Sequence, residues 1–356
     1  MPKLALLTAY GGPIELAEFP LTTPAPGTAA LKLRMAGICG SDLHIFRGEL
    51  PLPCPYAMGH EMVGEIAELG DELTTDTTGK PLAAGDRVVT PYFWTCGQCP
   101  ACARGRSHAC HNLMAGEYRT HQQQPHFVAA YGEYYYTSRR QPLYKVPEDL
   151  PDEAVAPLNC ALAQVLFALR DVRLGDTVVI QGSGGLGINA AAVARTAGAA
   201  AVVVIDKITE RLDVAADFGA THCINADGIS TAEVSEQVRN HTDGIGADWV
   251  LEVVGVPGVI PDGVGFLNNG GTLLEVGNIG MGRTFELDPS ALVYGNKSLR
   301  GVMLYDPVTL AVGLSFLQHT RFPFHRLMPK PFHLADVNEA FASAGAGLVP
   351  RGALVP

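Results

Sequence analysis

TVVIQGSGGLGINAAAVARTAGAAAVVVID, residues 177–206, is the stretch that decides the fold. Asp176–Gln181 reads as a compact β-branched strand, residues 182–187 as a glycine turn, Ile188–Ala197 as an alanine-rich helix and Ala201–Ile205 as a second strand. That is a βαβ unit. Its turn fits GxGxxG where physics wants it, after a strand and opening a helix. At Gly182, Gly184, Gly185, Leu186 and Gly187 the backbone can approach a pyrophosphate, whose charge meets the helix's N-terminal N–H groups and dipole. Asp206 ends the second strand about twenty residues further on, where an acid can bind both hydroxyls of an adenosine ribose. Such an acid repels a 2′-phosphate, so NAD is expected over NADP, although Lys207 and Arg211 weaken the discrimination. The competing reading is a plain glycine turn with Asp206 as a surface acid, and the surrounding alternation speaks against it.

Beyond this unit the alternation continues with helical Glu210–Phe218 and strands around His222–Asn225, Trp249–Val253 and Thr272–Val276. The expected fold class is α/β, with a doubly wound parallel sheet. Upstream, the first ~150 residues read instead as short strands punctuated by Gly and Pro. Examples are Ala30–Met35, Met62–Leu69 and Asp86–Thr90. Tyr118–Tyr136, rich in Gln, His and Tyr, reads as a surface loop leading into a strand. From about Tyr305 the tail is mixed α and β and ends in a short strand, Gly352–Val355.

A chain of 356 residues suffices for two ordinary domains, and 47% hydrophobic with 17% charged residues is a globular composition with a well-buried core. A net charge of −11 argues against nucleic-acid binding, which needs clustered Lys and Arg. Met1–Pro20 lacks the basic-then-apolar pattern of a signal peptide, and Leu4–Leu7 reads as a first strand. No apolar run reaches membrane-spanning length. A cytoplasmic location is expected, where clustered thiols stay reduced and find metals.

Cys96, Cys99, Cys102 and Cys110 form such a cluster. Two-residue spacers let successive thiolates converge on one ion, and the fourth returns to close a tetrahedron. Zinc is the metal this set selects most often. An iron–sulfur cluster is the rival, but those runs close with a short spacer and Cys-Pro, whereas here Pro100 lies inside the run. A disulfide framework would need a higher cysteine density than eight in 356 residues. Elsewhere Cys39, His60 and Cys160 stand far apart in sequence. Each alone would more often be structural; together they make the two-thiolate, one-imidazole set of a catalytic zinc with an open position.

The chain resembles the zinc-dependent alcohol dehydrogenases of the medium-chain dehydrogenase/reductase family over its whole length from Pro2. The matching motifs are GICGSDLH at 37–44, GHEMVGE at 59–65, the cysteine lobe at 96–110, GSGGLG at 182–187 and PFHLADVNEAF at 331–341. The resemblance implies that Cys39, His60 and Cys160 bind a catalytic zinc and the four-cysteine lobe a structural one. It implies a Rossmann domain (162–303) inserted into a mostly-β, GroES-like catalytic domain formed by 1–161, with the zinc lobe at 91–113, and by 304–356. It implies NAD-linked oxidation of an alcohol, with zinc acting as Lewis acid on the alcohol oxygen. Ser41 then takes the alcohol proton and His44 passes it to solvent through the cofactor ribose. Asp42 is expected to orient His60, and Glu61 to lie near the metal on its solvent side. Cys54 and Cys223 match no ligand position. Relatives are dimers or tetramers, so a homo-oligomer is expected.

Two departures from the family pattern stand out: Asn159 precedes Cys160 where many relatives carry glycine, and the segment between Cys110 and Tyr131 is long. By analogy Tyr92, Phe93 and Trp94 line the substrate pocket, although such rings can equally pack a core. Aromatic walls favour an apolar, secondary, cyclic or terpenoid alcohol, hydroxycamphor being one concrete candidate, with a polyol or threonine as the alternative. A non-catalytic zinc-binding regulator would be expected to have lost a ligand or relay residue, and this chain keeps them all.

Overall fold

A computed structural model of the chain describes residues 1–114, 120–328, 330–347 and 351–356. Two compact units emerge: Met1–Ala163 with Leu304–His319 and Phe324–Pro356, and Gln164–Met303 with Thr320–Pro323.

In the second unit six parallel strands lie in the order His222–Asn225, Ala201–Asp206, Thr177–Gln181, Ala247–Glu252, Leu267–Glu275, Ser298–Gly301. The order reverses beside Thr177–Gln181, which is the switch point of a doubly wound sheet. Val178–Ile180 and Val202–Val204 are wholly buried, as strands covered on both faces must be. The helix Gly185–Ala197 buries Ala190, Ala191, Ala192 and Ala194, small side chains that permit close packing, and it ends on Gly198 at φ +96°. Thr231–Asn240 forms a helix that the apolar periodicity does not announce. Its one signature is the Ser230–Glu233 capping box, and it buries only Val234 and Val238. The strand Leu267–Glu275 starts before the expected Thr272, because Asn268–Gly271 has the composition of a turn.

The first unit is mostly β. Ala29–Ile38 and Glu61–Leu69 pair antiparallel at the centre of a seven-stranded sheet, and a smaller sheet joins Ile14–Glu18, Lys3–Leu7 and Tyr56–Ala57. The tail strand Gly352–Val355 pairs antiparallel with the end of Ala29–Ile38, Gly352 opposite Ile38. That register delivers Arg351 to the residues just before Cys39.

The expectation of a surface loop leading into a strand at 118–136 holds in part: Gln122, Gln123 and Gln124 are exposed and Tyr134–Tyr136 is a strand, but the stretch between turns inward; Tyr118 and Arg119 lie outside the described residues. Phe127, Ala129, Ala130, Tyr131, Tyr135 and Tyr136 are buried. The composition looked polar, but Tyr131, Tyr135 and Tyr136 bury their rings and satisfy their hydroxyls, Tyr136 on the Thr22 carbonyl at 2.6 Å and Tyr135 on Gln141 at 3.2 Å. Among the described residues no helix is long and apolar enough to cross a membrane.

Candidate active site

Three segments of the first unit converge on one point. Cys39 caps the helix Gly40–Phe46, His60 immediately precedes the strand Glu61–Leu69, and Cys160 lies in the π-turn Leu158–Leu162. Donor atoms of Cys39, His60, Glu61 and Cys160 all lie within 4.8 Å of one another, and the two sulfurs are 3.9 Å apart. The Cys160 thiol bonded to it, and His60 nearby, hold the Cys39 thiol well below its ordinary pKa.

Asp42, 1% exposed, is the hub of the centre. Its Oδ2 accepts from the Cys39 backbone N–H at 2.9 Å and from the Tyr131 hydroxyl at 2.6 Å, while Oδ1 lies 3.2 Å from His60 Nδ1. Burial alone would lower the His60 pKa, but the Asp42 charge outweighs it and the imidazole is raised well above its usual value. With Nδ1–H directed at Asp42, Nε2 is left to face the sulfurs, the arrangement of a carboxylate–histidine–metal triad. Ser41 Oγ lies 3.4 Å from that Nε2. One helical turn on, His44 Nδ1 meets Glu49 Oε2 at 2.5 Å.

Gly59 explains itself here. Its φ is +92°, and a Cβ would sit inside the Tyr131 ring, so only glycine lets Tyr131 reach Asp42. Gly37 has the same logic, since a Cβ there would meet Glu61 Oε2 and Met328.

Glu61 corrects one expectation. It is not on a solvent side: it is fully buried, and its Oε1 accepts from Arg351, itself 7% exposed. A carboxylate taken wholly out of water needs a cation, and the tail strand supplies it. Oε2 has no hydrogen-bond partner, and one of the two carboxylate oxygens belongs to the cluster. Two thiols, an imidazole and a buried carboxylate with one orphaned oxygen make a donor set that a divalent cation suits, so the set fits zinc.

The other cluster is local. The sulfurs of Cys96, Cys99, Cys102 and Cys110 also lie within 4.8 Å of one another, around the short helix Pro100–Ala103, and none is in a disulfide. Backbone N–H groups point at sulfur, Cys96 N to Cys110 Sγ at 3.3 Å and Cys99 N to Cys96 Sγ at 3.4 Å. N–H donors, that of Gln98 first, bring the Cys96 thiol down to about 6. Four thiols held this way fit a closed tetrahedral zinc. Ser107 Oγ and the His108 N–H, within this lobe between Cys102 and Cys110, donate to Asp306 Oδ1 at 2.5 and 2.8 Å. Cys54 and Cys223 stand apart from both clusters, exposed and free.

The aromatic run divides. Tyr92 packs its ring 4.8 Å from that of His60, and with Trp94 it lines a cavity of about 450 Å³. Phe93 does not line it; its ring packs on Tyr305, 5.0 Å between centroids, so it belongs to the core. Leu52, Met62, Val128 and Ala129 add apolar wall, and His121 a buried imidazole. No acid, lysine or arginine is among the described residues lining this cavity.

In the second unit a cavity of about 440 Å³ is lined by Gly182, Gly184, Asp206, Lys207 and Arg211. Asp206 is fixed by backbone: Oδ2 accepts from Ser183 N at 2.7 Å, and Oδ1 from Lys207 N and Ile208 N at 2.7 and 3.0 Å. Gly182 has φ +100°, and a Cβ on Gly187 would overlap the Gly182 carbonyl. Both demands are those of a tight dinucleotide turn. Gly185 and Leu186 form the first turn of the helix that follows.

Sequence motifs did not find Tyr131, Arg351 or Asn159, which hold the centre together; only the unusual Asn159 had stood out.

Residues 25–148 match the alcohol dehydrogenase GroES-like domain family and residues 185–319 the zinc-binding dehydrogenase family. A 5-exo-hydroxycamphor dehydrogenase of Pseudomonas putida is 32% identical over 96% of this chain and 94% of that protein. An L-threonine 3-dehydrogenase of Aeromonas salmonicida is 29% identical over 98% and 97%. Among solved structures, an alcohol dehydrogenase from Thermotoga maritima superposes with a TM-score of 0.93 at 28% identity, covering 100% of this chain and 99% of that one. These matches and the two folds agree: the chain belongs to the zinc-dependent alcohol dehydrogenases of the medium-chain dehydrogenase/reductase family, oxidoreductases acting on CH–OH donors.

Proposed function

We propose that this enzyme oxidises a bulky, apolar secondary alcohol, cyclic or terpenoid, to its ketone, and runs the reverse reaction, with NAD preferred over NADP. The observation that carries the substrate class is the cavity beside His60, whose described lining holds no acid, lysine or arginine. Threonine's ammonium and carboxylate would lose water there without meeting an acid, lysine or arginine among the described lining residues, at about 1–3 kcal/mol for each unpaired group. The relationship to the hydroxycamphor dehydrogenase points the same way, and the relationship to threonine dehydrogenases keeps the alternative open to test.

Cys39, His60 and Cys160 would hold the zinc of the active centre, and Cys96, Cys99, Cys102 and Cys110 a second, structural one. Bound at the first site, zinc supplies Lewis acidity to the alcohol oxygen. The glycine turn and Asp206 would hold NAD, which would supply the hydride acceptor. Asp42 keeps His60 in the tautomer that leaves Nε2 free. Ser41, beside that nitrogen, takes the alcohol proton, because a hydroxyl can accept one proton while giving up another. His44, partly exposed and bonded to Glu49, passes the proton to solvent. An oligomer of like chains is part of the same reading. It is supported by Val293, Tyr294 and Met303 standing exposed beside the edge strand Ser298–Gly301.

An NAD-linked screen tests the substrate class, with cyclic terpenols set against sorbitol, threonine and ethanol and NADP run in parallel. Higher kcat/KM on the terpenols is expected; preference for sorbitol or threonine would sink the apolar reading.

A further inference from the structure

Asn159 is wholly buried, and its side chain is spent on the backbone of two other segments. Nδ2 donates to the His60 carbonyl at 3.0 Å and to the Thr90 carbonyl at 2.9 Å, while Oδ1 accepts from Met62 N–H at 3.4 Å. Both amide hydrogens are thus used, and the oxygen is engaged. Its own main-chain carbonyl accepts from the Tyr305 hydroxyl. The peptide groups it grips, His60 C=O and Met62 N–H, flank Glu61. Cys160 follows it directly in the π-turn, a backbone form that often marks functional sites. One side chain therefore fastens the segment carrying His60 and Glu61 to the segment carrying Cys160, in a place where water cannot substitute for a lost bond. A glycine at this place would keep the main-chain carbonyl but offer none of the three side-chain bonds.

We infer that Asn159 is a positioning residue that sets the separation of His60 and Cys160 and thereby how tightly the active centre holds its metal. This rests on the reading of Cys39, His60 and Cys160 as the ligand set. Asn159 touches no substrate and moves no proton. Its effect passes through main-chain atoms, so it should appear in metal retention before it appears in chemistry.

The test follows release of zinc from the loaded enzyme to a chromophoric chelator in Asn159→Gly and in near-isosteric Asn159→Asp, whose carboxylate cannot donate to two carbonyls. Release from the active centre is expected to quicken about 10–100-fold, the usual effect of losing an outer hydrogen-bonded partner, with release from the four-cysteine lobe unchanged. With cobalt in the active centre, the thiolate-to-metal absorption should shift in both variants, a signature that a general loss of stability would not produce. Wild-type release rates with an unchanged cobalt spectrum would overturn the inference. Should either variant not fold, Asn159→Ser, whose single hydroxyl cannot donate to both carbonyls, is read the same way: faster release supports the inference and an unchanged rate overturns it. The underlying ligand reading fails separately, if Cys160→Ala holds as much zinc as the wild type.

Discussion

The two sulfur clusters of this chain are built on opposite principles. The lobe is local: four cysteines within fifteen residues, partly exposed apart from Cys99, with backbone N–H groups aimed at their sulfurs. The active centre is assembled from afar. Its donors come from the end of one strand, the start of another and a π-turn, and its supports, Asp42, Tyr131, Asn159 and Arg351, are all nine-tenths buried or more. A local site needs only its own loop. A distributed site needs a folded protein to exist at all, and in return the fold can leave one position open for chemistry.

The sharpest way to break this contrast is to remove one donor from each cluster. Cys160→Ala should lower kcat/KM on the order of 10³-fold or more, since a bound metal is worth several kcal/mol of charge stabilisation in the transition state. Zinc content should fall from two to one per chain with the lobe still filled, read by metal analysis beside steady-state kinetics. Loss of both ions from this variant would refute the independence of the two sites.

Second in size is Arg351→Met. It strands Glu61 as a buried, unpaired carboxylate, a change that costs about 3–5 kcal/mol. Denaturant unfolding should show the loss, and adding Glu61→Gln should recover much of it. If the single variant is as stable as the wild type, the pair does not hold the centre together.

What the chain discloses before folding follows the same division. GSGGLG, the cysteine lobe and the tail strand Gly352–Val355 are read from spacing and local pattern, because the physics that demands them acts within a few residues. Glu61 and Arg351 are 290 positions apart, and Tyr131 and Asp42 are 89 apart. No periodicity connects such pairs; only the register of Gly352 against Ile38 and the glycine at 59 bring them together. Phe93 was misplaced for a related reason. Three adjacent rings look alike in sequence, but the chain turns the middle one to Tyr305 and the outer two to the cavity. The placement of Glu61 on a solvent side failed because its counter-ion lay in the tail.

The lobe supplies the third effect. Cys102→Ser should empty it and lower the melting temperature, while activity per folded molecule falls much less than in Cys160→Ala, because a closed site takes no part in the reaction. Thermal unfolding paired with initial rates measures both. A rate loss as deep as that of Cys160→Ala would mean that the lobe is a working part of the centre.

The smallest effect probes a hydrogen-bonded thread between the two clusters. Asp306 accepts from Ser107 and His108 within the lobe, and its neighbour Tyr305 donates to the carbonyl of Asn159. Burial would raise the Asp306 carboxyl, but the donors from Ser107 and His108 win and hold it below its ordinary 3.8. The sign follows from proton counting. As pH falls, the unfolded chain takes up this proton first, so the stabilisation is complete above 3.8 and is lost as pH drops through that value toward the folded one. Asp306→Asn should therefore lower stability by no more than about 1 kcal/mol at neutral pH, the group being partly screened by solvent. Melting curves of the two proteins should converge as the pH falls below 4, and a gap independent of pH would show that the carboxylate charge is not what ties the lobe down. If the thread is real, the same substitution should also hasten zinc release from the active centre by a small factor, the one respect in which the local cluster and the distributed one would act together.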